Sequence, residues 1–148
     1  MKRVDLFEST YSHFTEQVLD AVRKETFQTD IGQNSWVTVE EYDSFIRDLR
    51  LTSESHVLEV ASGSGGPSLY LAQQVGCRVT GIDATEGGVK TATEAATRAN
   101  KSDSVDFVLA DATAPLKYPD NTFDAILCID SMNHFANRVN VLKEWRRV

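Results

Sequence analysis

The chain has 148 residues, 41% of them hydrophobic and 25% charged, with a formal net charge of −7. That length and composition suit one globular domain with a core of its own, and exclude a disordered or fibrous chain. The acidic balance, with a pI near 4.9, argues against nucleic acid as a partner and favours small molecules. Charge interrupts residues 1–8 too early for a signal peptide, and no apolar run approaches the length of a membrane span, so secretion and membrane insertion are not expected. Cys77 and Cys128 lie far apart, outside any metal-binding cluster, and read as buried, reduced thiols of a cytoplasmic protein. Lys143, Arg146 and Arg147 are the densest basic group. Glu144 interrupts them, and they read as a solvated helix face.

Between residues 10 and 25, Phe14, Val18, Leu19 and Val22 share one helical stripe and predict a single amphipathic helix. Turn formers at 29–35 predict a loop. Thr38 with Glu41 is a capping box opening a second helix, which carries Tyr42, Phe45, Ile46 and Leu49. From residue 55 short apolar runs alternate with helical stretches. Strands are predicted at 56–61, 78–82, 105–109 and 123–129. Helices are predicted at 68–75, with Pro67 in its first turn and Gly76 as its C-cap, at 88–100, and from about Asn137. This order implies an α/β fold: a Rossmann-like, doubly wound sheet of parallel strands flanked by helices. Residues 1–50 are read as a helical lid or cap and 51–148 as the ligand-binding α/β domain.

Gly63, Gly65 and Gly66 follow the first strand, where a backbone without Cβ atoms can approach a ligand and the next helix offers free amides. A plain connecting turn has the same composition. Asp83 ends the second strand, about twenty residues on, and fits either a ribose-binding carboxylate or a helix N-cap. Asp111 ends the third strand with Ala112 behind it. It fits a contact to the exocyclic amine of an adenine or a solvated loop carboxylate. Residues 129–135 leave the fourth strand carrying Asp130, Ser131 and His134. Ligands of open α/β sheets bind outside the carboxyl ends of the strands, so these groups converge there, with Glu59 projecting from within the first strand. Strand-end carboxylates are costly neighbours unless something positive or hydrogen-bonding faces them. A ligand with ribose hydroxyls, amines and a sulfonium meets that need better than a pyrophosphate does.

As an ordered set these runs resemble the motifs of class I S-adenosylmethionine-dependent methyltransferases. Residues 57–65, in which Glu59 precedes Gly63 and Gly65, are similar to motif I, with Ala61 in place of the first motif glycine and Ser62 after it. Residues 79–83, ending in Asp83, resemble the second motif, and 108–112 with 123–126 the third and fourth. The approach at 119–124 is typical of the family too. The likeness covers about residues 51–148 and extends more loosely to 32–36. That segment is similar to type 11 small-molecule enzymes of the glycine-betaine, phosphoethanolamine and quinone-methylating kind.

The resemblance implies S-adenosylmethionine as cofactor, no metal, and a small-molecule nitrogen or oxygen acceptor. It implies that Gly63 and Gly65 pass under the methionine portion beside Ala61, that Glu59 orients its ammonium, and that Ile129 meets it through backbone. Asp83 would bind the ribose, and Asp111 with Ala112 the adenine. His134 is the candidate general base for a protonated nucleophile, or else a residue stabilising its loop. Tyr11 and Trp36 are candidate substrate contacts, with packing as the competing role. Gly87 and Gly88 suggest local flexibility beside the adenosine site.

The chain stops inside the helix after the fourth strand, where relatives continue with further strands. The C-terminal strands of the full fold are therefore expected to be missing and the fourth strand to form an exposed edge, able to pair with a second copy. Two alternatives remain: a non-catalytic truncated fragment, and a nicotinamide-dependent oxidoreductase. The second is disfavoured because Ser68 stands where the third glycine of GxGxxG belongs.

Overall fold

The computed structural model describes residues 6–148; the reading of the N-terminus as no signal peptide rests partly on residues 1–5, which lie outside the described residues. Three helices come first, α1 (Leu6–Ser12), α2 (Gln17–Thr26) and α3 (Val39–Leu49). The alternating part runs β1 (His56–Val60), α4 (Gly66–Val75), β2 (Arg78–Asp83), α5 (Glu86–Arg98), β3 (Val105–Leu109) and β4 (Ala125–Leu127). A 3-10 turn (Met132–His134) and α6 (Arg138–Arg147) follow.

All four strands are parallel, in the order β3-β2-β1-β4. Side chains alternate across a strand, so β1, β2 and β4 each feed two cores, while β3 packs one face and leaves Val108 exposed. Val57, Val79, Val105 and Leu127 enter one layer with Leu69, Leu71 and Ala96 of α4 and α5, and with Tyr42 of α3. Leu58, Val60 and Ile82 enter the other with Val141 and Trp145 of α6. The chain winds from β1 outward to β3, then returns to the far side of β1 as β4. The carboxyl ends of β1 and β4 therefore flank the switch point where such sheets bind ligands. Because Tyr42 sits in the same core as β1, the α3 part of residues 1–50 is built into the α/β layers. Among the described residues no helix is long and apolar enough to cross a membrane.

The capping box forms as the sequence indicates: the Glu41 amide donates to Thr38 Oγ1 (3.3 Å), and the Thr38 amide donates to Glu41 Oε2 (3.0 Å). Such a cap contributes about 1 kcal/mol. The single helix expected at 10–25 is instead two. Phe14 is buried in the break between them, its carbonyl accepts from Arg23 Nη1 (2.9 Å), and the Arg23 guanidinium lies 4.1 Å over its ring. That claim on the Phe14 carbonyl replaces a helical bond, and it leaves Val18 71% exposed rather than on a buried stripe.

Other expectations also need correction. The fourth strand is shorter than 123–129, because the Phe123 amide donates to Val148 O (2.9 Å) and the ring packs on His56 and Tyr118. Of the basic trio, Arg147 is not part of a solvated face. It donates to Glu144, to Asp120 and to the carbonyls of Leu116 and Tyr118, tying α6 to the loop before β4. Cys77 is buried but Cys128 only half-buried, and both thiols are free. Gly87 serves close approach rather than flexibility. Its amide donates to Glu8 Oε1 of α1 (2.9 Å), and a Cβ there would lie 2.6 Å from that oxygen.

Candidate functional site

The site grows from the turn after β1. Ala61 holds a left-handed backbone (φ 58°), which costs an L-residue about 1 kcal/mol and which a glycine would adopt freely. Gly63 is left-handed too (φ 52°), and a Cβ on it would stand 2.6 Å from the Tyr11 hydroxyl. Helix α1 therefore lies directly over the turn, pinned by Thr91 Oγ1 donating to the Tyr11 carbonyl (3.0 Å). The Asn34 side chain hydrogen-bonds the Tyr11 hydroxyl, whose pKa is raised chiefly by burial.

Asp83, buried at the tip of β2, organises the turn from the other side. Its Oδ2 accepts the Gly63 amide (2.8 Å), while Oδ1 accepts both the amide (2.9 Å) and the hydroxyl (2.6 Å) of Thr85. Thr85 is the N-cap of α5, so Asp83 is not. A carboxylate has about four lone-pair positions, so one is left open on Oδ2.

Glu59 projects from β1 and is fully buried, its Oε2 accepting from the Ser68 hydroxyl. Burial pushes its carboxyl up to about 7, with the Ser68 bond opposing the rise. At the tip of β4, Asp130 turns left-handed (φ 51°), and its Oδ2 accepts the Trp36 amide (2.7 Å) from 94 residues away.

These groups border one crevice made of two adjoining cavities. Phe7, Tyr11, Ala61, Ser131 and His134 border both. One cavity reaches Glu59, Gly63, Asn34, Ser35 and Ile129; the other reaches Asp83, Ala84, Thr85 and Phe135. His134 stands at the junction, with Phe7 edge-on to its ring at 5.3 Å. Glu59, Asp83 and Asp130 border the crevice, and among the described residues no lysine or arginine does. The arrangement is complementary to an elongated ligand that is cationic at the Glu59 end and rich in hydroxyl donors at the Asp83 end. The buried Glu59 carboxyl beside the turn at Gly63 fits an amino-acid moiety, and the open position on Asp83 Oδ2 fits a hydroxyl.

Four candidates from the sequence lie elsewhere. Gly65 faces Phe107 and Ala92 rather than the crevice. Asp111 is exposed, and its Oδ1 is occupied by the Thr113 amide (2.8 Å) and hydroxyl (2.7 Å), bonds that also hold its carboxyl below the usual range. Ala112 is buried, its carbonyl accepting from Trp145 Nε1 (3.1 Å). Trp36 is 83% exposed and borders a neighbouring hollow instead. Phe7, Thr85 and Phe135 also border the crevice, with nothing in the sequence pattern to mark them as site residues. Thr85 comes with Asp83, two residues before it, whereas Phe7 and Phe135 arrive by tertiary placement.

The family of sequences described as a methyltransferase domain matches residues 58–148. The 27-O-demethylrifamycin SV methyltransferase of Amycolatopsis mediterranei is 30% identical over 143 residues, which is 93% of this chain and 52% of that protein. The sarcosine/dimethylglycine N-methyltransferase of Halorhodospira halochloris is 30% identical over 97% of this chain and 46% of its own length. The chain thus spans about half the length of these relatives. In fold it is similar to a putative S-adenosylmethionine-dependent methyltransferase of Methanococcus maripaludis, with a TM-score of 0.77 at 17% identity, covering 99% of this chain and 61% of that one.

Proposed function

This chain belongs to the class I S-adenosylmethionine-dependent methyltransferase family, and from that premise we propose that it binds S-adenosylmethionine along the crevice and methylates a small-molecule nitrogen or oxygen acceptor. One observation carries the reading. A buried carboxyl, the turn at Gly63 and a strand-end aspartate border two adjoining cavities at the sheet's switch point. The nicotinamide alternative is disfavoured, since the family matched is a methyltransferase domain and Ser68 stands where the third glycine of GxGxxG belongs.

When bound, the cofactor supplies a methyl group on a sulfonium, whose bond to sulfur breaks as an acceptor lone pair forms the new one. Glu59 holds the ammonium, directly or through the turn. The turn at Gly63 passes beneath the methionine portion, with Ile129 across from it. Asp83 takes one ribose hydroxyl at its open position, and a second when the Thr85 hydroxyl turns away from Oδ1. Ala84 and Phe135, which border the Asp83 cavity, would flank the adenine. Phe7 and Tyr11 of α1 form the lid that limits water. His134 accepts the acceptor's proton where the nucleophile arrives protonated. The chemistry asks mainly for alignment, so proximity and orientation carry most of the rate.

Incubation with methyl-labelled S-adenosylmethionine and a panel of alcohols, phenols and amines tests the transfer. Acceptor-dependent labelling with equal formation of S-adenosylhomocysteine is expected. Cofactor binding without transfer to any acceptor would favour the non-catalytic reading.

Two further readings belong with this one. The outer edge of β4, unpaired among the described residues and flanked by Phe45 and Leu49, supports pairing with a second copy. Sedimentation should then show a dimer growing with concentration, and a monomer at high concentration contradicts it. The free thiols of Cys77 and Cys128 support a cytoplasmic location.

A further inference from the structure

Beyond the cofactor crevice, a second hollow opens between α2 and the loop before α3. Its apolar walls are Val22, Phe27 and Trp36, and its polar lining includes Thr26, Asn34 and Ser35. Asn34 and Ser35 also border the Glu59 end of the crevice, so the two spaces share a wall. Trp36 is an unusual residue to leave 83% exposed, and it is not on a loose loop: Asp130, next to Ile129 of the crevice, holds its amide. A large aromatic pinned beside a ligand site with its indole in solvent is a feature of recognition surfaces.

The charge at this hollow limits what it takes. Arg23 is the one charged residue among those lining it. Its guanidinium is already committed to Asp30 Oδ2 (3.2 Å), Asp20 Oδ1 (3.4 Å) and the Phe14 carbonyl (2.9 Å), and it covers the Phe14 ring. Gln33 is likewise spent, accepting the Ile31 amide (2.8 Å) and donating to the Thr29 carbonyl (3.4 Å). No spare cation remains there for a phosphate or carboxylate, and no carboxylate lines the hollow to hold an ammonium. Ser35 Oγ, at the shared wall, is shielded and has no hydrogen-bond partner among the described residues. An unused hydroxyl in such a place is costly until a polar group meets it.

We propose that this hollow receives the methyl acceptor, with Trp36 as its wall, and that the acceptor is a neutral, predominantly apolar molecule bearing a hydroxyl. The proposal rests on the crevice being the cofactor site and adds to it the chemical class of the second substrate. The apolar body lies against Trp36, Phe27 and Val22, where affinity scales with the area removed from water. The hydroxyl passes the boundary at Asn34 and Ser35 into the crevice, which His134 also borders. Its oxygen forms the bond to the methyl carbon, the methyl–sulfur pair stays on sulfur, and the hydroxyl proton passes to His134 or water.

The two indole N–H resonances read the test in the full chain saturated with S-adenosylhomocysteine. Trp145, buried and bonded to the Ala112 carbonyl, is the internal control. Cyclohexanol and borneol should shift the Trp36 signal saturably, borneol at a several-fold lower concentration, with Trp145 unmoved. Trp36→Ala should weaken borneol at least tenfold, measured by the ligand's own resonances. It should leave S-adenosylhomocysteine affinity within about twofold, since the indole does not border the crevice. Equal or stronger shifts with sarcosine or phosphoethanolamine overturn the neutral class. Shifts with protein concentration alone mean that a second copy occupies the face, and overturn the proposal. Cofactor binding with no response of Trp36 to either alcohol overturns the acceptor site while leaving the cofactor reading intact. Failure to bind S-adenosylhomocysteine at all sinks both.

Discussion

Replacing Glu59 by Gln is expected to cost at least about 30-fold in S-adenosylhomocysteine affinity at pH 8, roughly 2 kcal/mol, because a buried carboxylate opposite an ammonium loses its charge. The substitution keeps an oxygen to accept the Ser68 hydroxyl, so packing survives. The parent protein should itself show a pH signature. With its carboxyl pushed up to about 7 by burial, Glu59 is mostly protonated at pH 6 and mostly ionised at pH 8. Affinity should rise about tenfold across that interval and then level off. Stability runs the opposite way. A folded-state pKa above the ordinary 4.5 means that the fold holds this proton more tightly than the unfolded chain does. That contribution is complete below the ordinary value and is lost as pH rises through 7. Glu59→Gln never bears the buried charge, so above pH 7 it should unfold with about 3 kcal/mol more free energy than the parent. Denaturant titrations at pH 5 and pH 8 check this together with calorimetry. A variant with parental affinity and parental stability at both values would show that Glu59 neither meets the ligand nor bears a buried charge.

The second large effect belongs to Asp83. Asp83→Ala should reduce S-adenosylhomocysteine affinity by about 2–3 kcal/mol, from the loss of charge-assisted bonds. Two routes add up here. The ribose loses its acceptor, and the Gly63 amide loses the oxygen that fixes the turn. Thr85→Val separates them. It removes the hydroxyl that occupies Oδ1 while leaving the carboxylate and the Gly63 bond in place, so cofactor affinity should be retained or improved. Undiminished affinity in Asp83→Ala would remove the ribose assignment.

The parts of this structure that could be read from the sequence are those that local rules govern. The capping box at Thr38 and Glu41, the alternation after residue 55 and the helix stop at Gly76 each depend on a few neighbouring residues, and each took its expected form. The order of strand-end motifs located Glu59, Gly63 and Asp83 at one edge for the same reason: strand tips in a parallel sheet point one way. Long-range competition decided the rest. Arg23 took the Phe14 carbonyl and broke a helix that periodicity had made continuous. Val148 O took the Phe123 amide and shortened β4. Gly87 and Gly88 read as flexible because nothing nearby in sequence signals the arrival of Glu8 and Tyr11. Asp111, at the right place in its motif, turned its carboxylate onto its own loop, a local bond always available to an aspartate two residues before an amide. Phe7 and Phe135 carry no polar signature, and only the folded chain brings them to the crevice.

The proposed function requires one ligand lying across the tips of β1, β2 and β4, from Glu59 to Asp83. Amide resonances of the labelled chain titrated with S-adenosylhomocysteine test this directly. The largest shifts should fall together on Gly63, Thr85, Ile129 and Ser131, while Gly76 and Lys101 at the opposite end of the sheet stay in place. Saturable binding that moves only one of these tips, or that moves the opposite end instead, would contradict a shared crevice and the function derived from it.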